Sequence, residues 1–263
     1  MRKSTAGVAG NVVLVAVTDT SSSDFPTGRA LRKLRSARAK TGVLRRGHIL
    51  GGSLCRPKEK NPTMKLFYMK GACSLASYIS LLEAGLKFEA TEVDHQSHKT
   101  TDGESLDSIN SKGYVPVLQL DSGEILTENV AVLQYIADRN PAAQLAAVAG
   151  TLERYRLIEL LAYINSEIHK NFGPLFSQSV SADVKRFATD NLKKRLDWLD
   201  QALSSKTYLM GDRFTVADAY LYVVLTWTGH VGIDLGQWPA LKRHNERIGA
   251  RPHVIAALRA EGL

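Results

Sequence analysis

Past Asn140-Pro141 the strand signals of this chain stop, and everything beyond the Ala-rich stretch ending at Gly150 has helical periodicity only. A chain that alternates strand and helix up to one point and is purely helical after it folds as α/β plus all-α, in two parts. Before the break, Lys65 to Met69 is a short apolar and partly aromatic run followed by Gly71, which reads as a strand ending in a loop. A helix follows, with Ser74 as its cap, Leu75, Ile79 and Leu82 at helical spacing, and Gly85 as its left-handed C-terminal residue. Phe88 to Val93 alternates as a second strand, so the strand, helix, strand order requires a parallel crossover. After a polar stretch from Asp94 to Gly113, Val115 to Leu120 and Glu124 to Leu126 flank the turn Asp121-Ser122-Gly123 as an antiparallel hairpin. Thr127-Glu128 then opens a helix with Val130, Leu133 and Ile136 on one face. The order is βαβ followed by ββα.

In the helical part, Leu157, Leu160, Leu161, Ile164 and Ile168 form one long apolar face, and Phe187, Leu192, Leu196, Leu199 and Leu203 form another. Thr215-Val-Ala-Asp218 reads as a capping box, with Phe214 as its staple and Ala219 to Trp227 as a buried helix that nucleates a second core. No internal repeat is visible.

The formal charge of +8 raises the question of nucleic acid, and its distribution answers it. Residues 1–63 hold 13 Lys/Arg and only three acids, Asp19, Asp24 and Glu59, a net of +10. The remaining 200 residues carry 21 bases and 23 acids, a net of −2. The basic segment has one aromatic residue, Phe25, and a serine run at Ser21 to Ser23, so it is expected to be a disordered extension. Its apolar run Val12 to Val17 and its basic stretch Arg29 to Arg46 are weak versions of a secretory and an organellar signal, and Met64 offers an internal start. No stretch approaches the roughly 18 to 20 apolar residues of a transmembrane helix. The charge gives no reason to expect a nucleic-acid or membrane partner.

Two cysteines, Cys55 and Cys73, fit neither a disulfide framework nor a zinc site, and no histidine has ligand spacing, so no metal is expected. Cys73 falls at the first strand-to-helix junction, where free amides and the helix dipole favour a thiolate; elsewhere a lone Cys is usually a small buried hydrophobe. Ala76 stands where a resolving cysteine would be, so the thiol partner comes from outside. Val115-Pro116 opens a strand with a residue unable to join its ladder, which marks either an ordinary edge proline or a special bend where Val115 pairs with an extended peptide. Glu128 and the amides near Asn129 are suited to the ammonium and carboxylate of an amino acid, although Thr-Glu is also common capping chemistry. His169-Lys170 offers a proton carrier and a cation on one helix, against the plainer roles of structural hydrogen-bonder and solvated lysine.

Met64-Lys-Leu-Phe-Tyr, Gly71-Ala-Cys73-Ser-Leu-Ala, Val115-Pro116, Leu126-Thr-Glu128, Glu167-Ile-His169-Lys170 and Gly211-Asp-Arg-Phe-Thr-Val-Ala-Asp218-Ala-Tyr-Leu together resemble the bacterial beta-class glutathione S-transferases. The resemblance covers Met64 to Leu263. It implies a thioredoxin-like domain over 64–141, an all-helical domain over 151–263, a cytoplasmic homodimer, and glutathione as co-substrate for conjugation to apolar electrophiles. It also implies that Cys73 contacts the glutathione sulfur and forms a mixed disulfide with it, and that His169 assists catalysis. His98, Val115, Glu128, Asn129, Ser166 and Lys170 join them in binding the tripeptide. Tyr68 and Ser74 are second choices for the thiol-activating group, Tyr68 because it lies in a strand and Ser74 because it is already engaged as a cap. The sequence departs from the class at His98, where Lys is common, at Ala162, where Asn is common, and at Asn129, where a smaller residue is usual. The same residues permit thiol-disulfide exchange, and the fold alone permits a non-catalytic binding protein.

Overall fold

The structure is a computed structural model, and it describes residues 63–263. Residues 1–62, and with them Cys55 and the assignment of the basic segment as a disordered extension, lie outside the described residues. Four strands form one mixed sheet in the order β2-β1-β3-β4: β1 Met64–Tyr68, β2 Phe88–Glu92, β3 Val117–Gln119 and β4 Ile125–Thr127. β1 pairs parallel with β2, Leu66 opposite Ala90, and antiparallel with β3, Leu66 opposite Leu118. The central β1 is buried along most of its length, as expected of a strand covered on both faces.

Helix α1, Ser74–Glu83, makes the crossover and sets Leu75, Ala76, Ile79 and Leu81 into the core. It ends as the sequence indicates: Gly85 has φ +63, its N–H donates to Leu82 O at 3.0 Å, and the Leu86 N–H donates to Leu81 O at 3.1 Å. Its start differs from expectation. The N-cap position is Cys73, and Ser74 Oγ instead binds the Met69 backbone, accepting from its N–H at 3.2 Å and donating to its carbonyl at 3.3 Å. Ser74 therefore ties the strand end to the helix start rather than satisfying helix amides. A single turn, α2 Leu106–Ile109, interrupts the polar stretch from Asp94 to Gly113, and α3, Asn129–Arg139, follows the hairpin.

The Ala-rich stretch between the two parts is anchored rather than free. Pro141–Ala143 form a 3₁₀ turn, Leu145 is buried, and its carbonyl accepts from Val216 N–H at 3.0 Å. Helix α4, Leu152–Tyr163, runs without a break through a π-helical turn, Ile164–His169, into α5, Lys170–Phe176. Of the expected face, Leu157, Leu161, Ile164 and Ile168 are fully buried and Leu160 is partly buried, but the face is carried across that π turn, which no periodicity reveals. In α6, Ala182–Leu203, Phe187 is 69% exposed and does not belong to the buried face. One residue is about 100° of helix rotation, so the stripe that contains Leu192, Leu196, Leu199 and Leu203 is continued by Ala188 instead.

Helix α7, Val216–Thr226, is buried on nearly every side, followed by a 3₁₀ turn Trp227–Val231 and by α8, Pro239–Gly249, and α9, Pro252–Glu261. It packs against α1, and a single hydrophobic cluster extends from Met64 through both helices to Ala257. Two bidentate ion pairs bind the parts together: Arg154 to Asp138 at 2.8 and 2.7 Å, and Arg251 to Glu83 at 2.7 Å for both contacts. The capping box is present. Asp218, fully buried, accepts from the Thr215 N–H and hydroxyl, both at 2.8 Å, from Leu209 N–H at 2.8 Å, and lies 2.9 Å from His244 Nε2. Among the described residues no helix is long and apolar enough to cross a membrane. Removing the Asp218 acceptor leaves several buried donors unpaired, so Asp218→Ala is expected to lower unfolding free energy by about 3–5 kcal/mol in urea titrations; a loss below about 1 kcal/mol would contradict this role for the capping box.

Candidate functional site

Cys73 sits where β1 gives way to α1, in a tight loop closed by the Ala72 N–H donating to Met69 O at 3.1 Å. Its side chain is buried, and Sγ lies 3.5 Å from the Val115 carbonyl, to which it donates. Burial pushes the thiol up to about 12, while the amides of Cys73 and Ser74 and the charge of Lys170 pull the other way without prevailing. The thiolate expected from the helix N-terminus is therefore not the resting form: desolvation outweighs the dipole, and Cys73 is a protonated donor.

Around it, Val115-Pro116 is joined by a cis bond. The Val115 carbonyl is engaged by Cys73 itself rather than free. Asn129 is buried, accepting from Ser77 Oγ at 2.9 Å and donating to the Cys73 carbonyl at 3.2 Å, so its side chain braces the loop and only its backbone is placed for a ligand. Glu128, at φ +68, is half-exposed. Lys112 Nζ at 2.7 Å and the Tyr114 hydroxyl at 2.6 Å both bind its Oε1 and hold the carboxyl below its usual range. Oε2 remains for a further donor.

The helical part contributes His169 and Lys170, where the π turn meets α5. His169 Nδ1 lies 2.7 Å from the Tyr220 hydroxyl, which donates to Asn165 Oδ1 at 3.0 Å. Since the phenol has one proton and gives it to Asn165, Nδ1 carries the imidazole proton and Nε2 keeps its lone pair. Burial, with Lys170 adding to it, lowers His169 to about 4, so the ring is neutral at neutral pH. Burial likewise raises the Tyr220 phenol, and the nearby Cys73 adds to the rise. Lys170 is exposed, and its charge is felt by Cys73, Glu128 and His169 alike.

Cys73, Val115, Glu128, Asn129, His169 and Lys170 thus surround one corner. His98 and Ser166 do not join it through direct contacts: exposed His98 uses its backbone with Asp94 and Leu106, and exposed Ser166 has its contact with Glu167, 3.4 Å away. Tyr68 is buried beside Tyr78, with ring centroids 5.7 Å apart, which suits packing. Sequence reasoning missed Tyr220, Asn165, Trp227, Lys112 and Tyr114. The tyrosines of the mostly apolar helix α7, Tyr220 and Tyr222, carry a signal, because a buried phenol needs a partner. Among the described residues no group of three or more His, Cys, Asp or Glu is arranged to hold a metal ion.

Two family models match the chain in register with this geometry: glutathione S-transferase, N-terminal domain, over residues 62–138, and glutathione S-transferase, C-terminal domain, over 163–252. The chain is 43% identical over 200 residues to glutathione S-transferase GstA of Escherichia coli O157:H7, covering 76% of this chain and 100% of that one. The chain belongs to the glutathione S-transferase family. Among solved structures, a sphingomonad glutathione S-transferase complexed with glutathione is 50% identical with a TM-score of 0.74, covering 76% of this chain and 99% of that one. A beta-class glutathione S-transferase of Sphingomonas chungbukensis is also 50% identical, with a TM-score of 0.73 and the same coverage. The resemblance to the bacterial beta class is borne out, and with it a thioredoxin-like part followed by a helical one and the assignment as a transferase that uses glutathione.

In a proton–nitrogen NMR titration of the transferase, His169 is expected to be the neutral Nδ1–H tautomer at neutral pH and to protonate near about 4. Tyr220→Phe removes the acceptor and should release the ring to the Nε2–H tautomer. A midpoint at or above the ordinary imidazole value of about 6.5 would contradict the reading.

Proposed function

We propose that the transferase binds glutathione against residues 64–141 and joins its sulfur to apolar electrophiles held against the helices of residues 151–263. The observation that carries this is a protonated, buried thiol sharing a corner with a neutral imidazole and the Lys170 charge. Such a corner supplies a donor and a cation to an incoming sulfur but little nucleophile of its own. The Cys73 S–H, now on the Val115 carbonyl, turns to the glutathione sulfur when that sulfur ionises and its proton leaves to solvent. Glu128 Oε2 takes the γ-glutamyl ammonium, and the amides at the start of α3, at Asn129, take the carboxylate. Val115 pairs with the tripeptide backbone, Lys170 balances the thiolate, and exposed His98 and Ser166 meet polar groups at the rim. His169 presents the Nε2 lone pair toward the reacting centre. Phe172, Phe176 and Trp227, with ring centroids 5.5 to 6.0 Å apart, form an aromatic wall beside His169, and half-exposed Phe176 gives an apolar acceptor its footing. The thiolate then adds to, or displaces a leaving group from, the acceptor and leaves as a thioether. A cytoplasmic homodimer, implied by the class, completes the proposal.

Thiol-disulfide exchange uses the same residues with Cys73 as attacking thiolate: it breaks the bond of glutathione disulfide, forms a mixed disulfide and expels one glutathione thiolate. Burial that pushes the thiol up to about 12 disfavours the attacking thiolate in the free protein.

Cys73→Ala separates the two. Conjugation of a chloronitrobenzene is expected to fall about tenfold, the loss of one charge-assisted hydrogen bond, while reduction of a mixed disulfide disappears. If conjugation vanishes with glutathione binding intact, covalent chemistry at Cys73 replaces the donor role. Failure of the wild type to be retained on immobilised glutathione would overturn the proposal altogether.

A further inference from the structure

Gly71, two residues before Cys73, is gripped on both of its backbone groups by the helical part. Its N–H donates to Glu261 Oε2 at 2.8 Å, and its carbonyl accepts from Trp227 Nε1 at 2.8 Å. Trp227 in turn stands against His169, ring centroids 4.9 Å apart. Glu261 closes α9, is fully buried, and keeps its other oxygen, Oε1, buried without a hydrogen-bond partner. Such an oxygen is costly to bury, and packing alone has no use for it.

Helix α9 lies along α1 in the opposite direction. Arg251, just ahead of it, is bound to Glu83 where α1 ends; Glu261, at its other end, is bound to Gly71 just before α1 begins. In between, Val254 and Ala257 are fully buried. The helix is a splint fixed at both ends of the element that carries the thiol.

We propose that Glu261 is a positioning residue that, through the Gly71 amide, holds the Gly71–Cys73 loop in the conformation that keeps the thiol buried against the Val115 carbonyl. The link to glutathione rests on the proposed function; the grip on the loop does not. Burial raises the Glu261 carboxyl to about 7, with Glu92 adding to the rise and the Gly71 amide and Lys70 opposing it. The titratable and charged groups facing it are Glu92 of β2, Lys70, which pairs with Glu92 at 3.1 Å, Tyr68 of β1 and Tyr78 of α1. A carboxylate accepts from the amide more strongly than a carboxylic acid does, so the grip tightens as pH rises through about 7. Global stability moves the other way: a carboxyl raised on folding lets the native state bind more protons, and its contribution is lost as pH rises from the unfolded value toward about 7.

The test uses the full chain and needs no glutathione: the rate at which iodoacetamide alkylates Cys73, read by mass spectrometry of the Cys73 peptide. Glu261→Ala is expected to speed alkylation about tenfold by loosening the loop. Val254→Ala, which empties part of the same helix's core but leaves the grip, should lower the melting temperature with less than about a twofold change at Cys73. Glu261→Gln keeps an acceptor without a charge, so the ratio of wild-type to Glu261→Gln rates should fall as pH rises through about 7. The proposal is overturned if that ratio stays flat, if Glu261→Ala leaves Cys73 as slow as in wild type, or if Val254→Ala accelerates it equally. A wild type that does not bind glutathione would sink the proposed function while these rates still decide the role of Glu261. With glutathione bound, Glu261→Ala is expected to raise KM for glutathione several-fold more than it changes kcat.

Discussion

The packing of α1 against α7 is the contact on which the rest of the molecule depends. Each helix contributes a series of fully buried side chains, among them Leu75, Ile79, Tyr220 and Val224. At about 1.5–3 kcal/mol for each large apolar side chain, this burial makes one core out of two sequence regions. It also decides where chemistry can occur. Cys73 caps the start of α1, and α7 carries Tyr220 and is followed by Trp227, so pressing the two helices together brings the thiol near the phenol that holds His169.

That burial also sets the protonation of the site. Removal from water pushes Cys73 up to about 12, His169 down to about 4 and Glu261 up to about 7. The interior of the corner is therefore poor in charge, and the charges lie at its rim on Lys170, Lys112 and Glu128. An arrangement of this kind favours a ligand that brings its own nucleophile and is zwitterionic at one end. Glutathione has both properties, and the chain's place in its family agrees with them.

Most of the fold was legible because its signals are local. The crossover, the hairpin at Asp121-Ser122-Gly123, the Gly85 helix end and the Thr215–Asp218 box each depend on residues within a few positions of one another. The errors share a cause as well. Apolarity alone puts Phe187 in the core, yet a one-residue offset turns it to solvent; the position of Ser74 suits a cap, yet the Met69 backbone five residues earlier competes for its hydroxyl. In the site, Cys73 and His169 could be found by type and spacing, but not their ionisation. A helix start argues for a thiolate, and only the depth of burial shows that desolvation prevails. The partners of Tyr220, Trp227 and Glu261 lie 51 to 190 residues away, so no local pattern names them.

The central claim is that Cys73 stays a protonated donor while glutathione supplies the thiolate. Ultraviolet titration of thiolate absorbance, wild type minus Cys73→Ala, tests it directly. No Cys73 thiolate is expected in the free protein until strongly alkaline pH, toward about 12, and glutathione is expected to ionise at lower pH when bound to wild type than in solution. Ionisation of Cys73 below the ordinary thiol value of about 8.5 would contradict it.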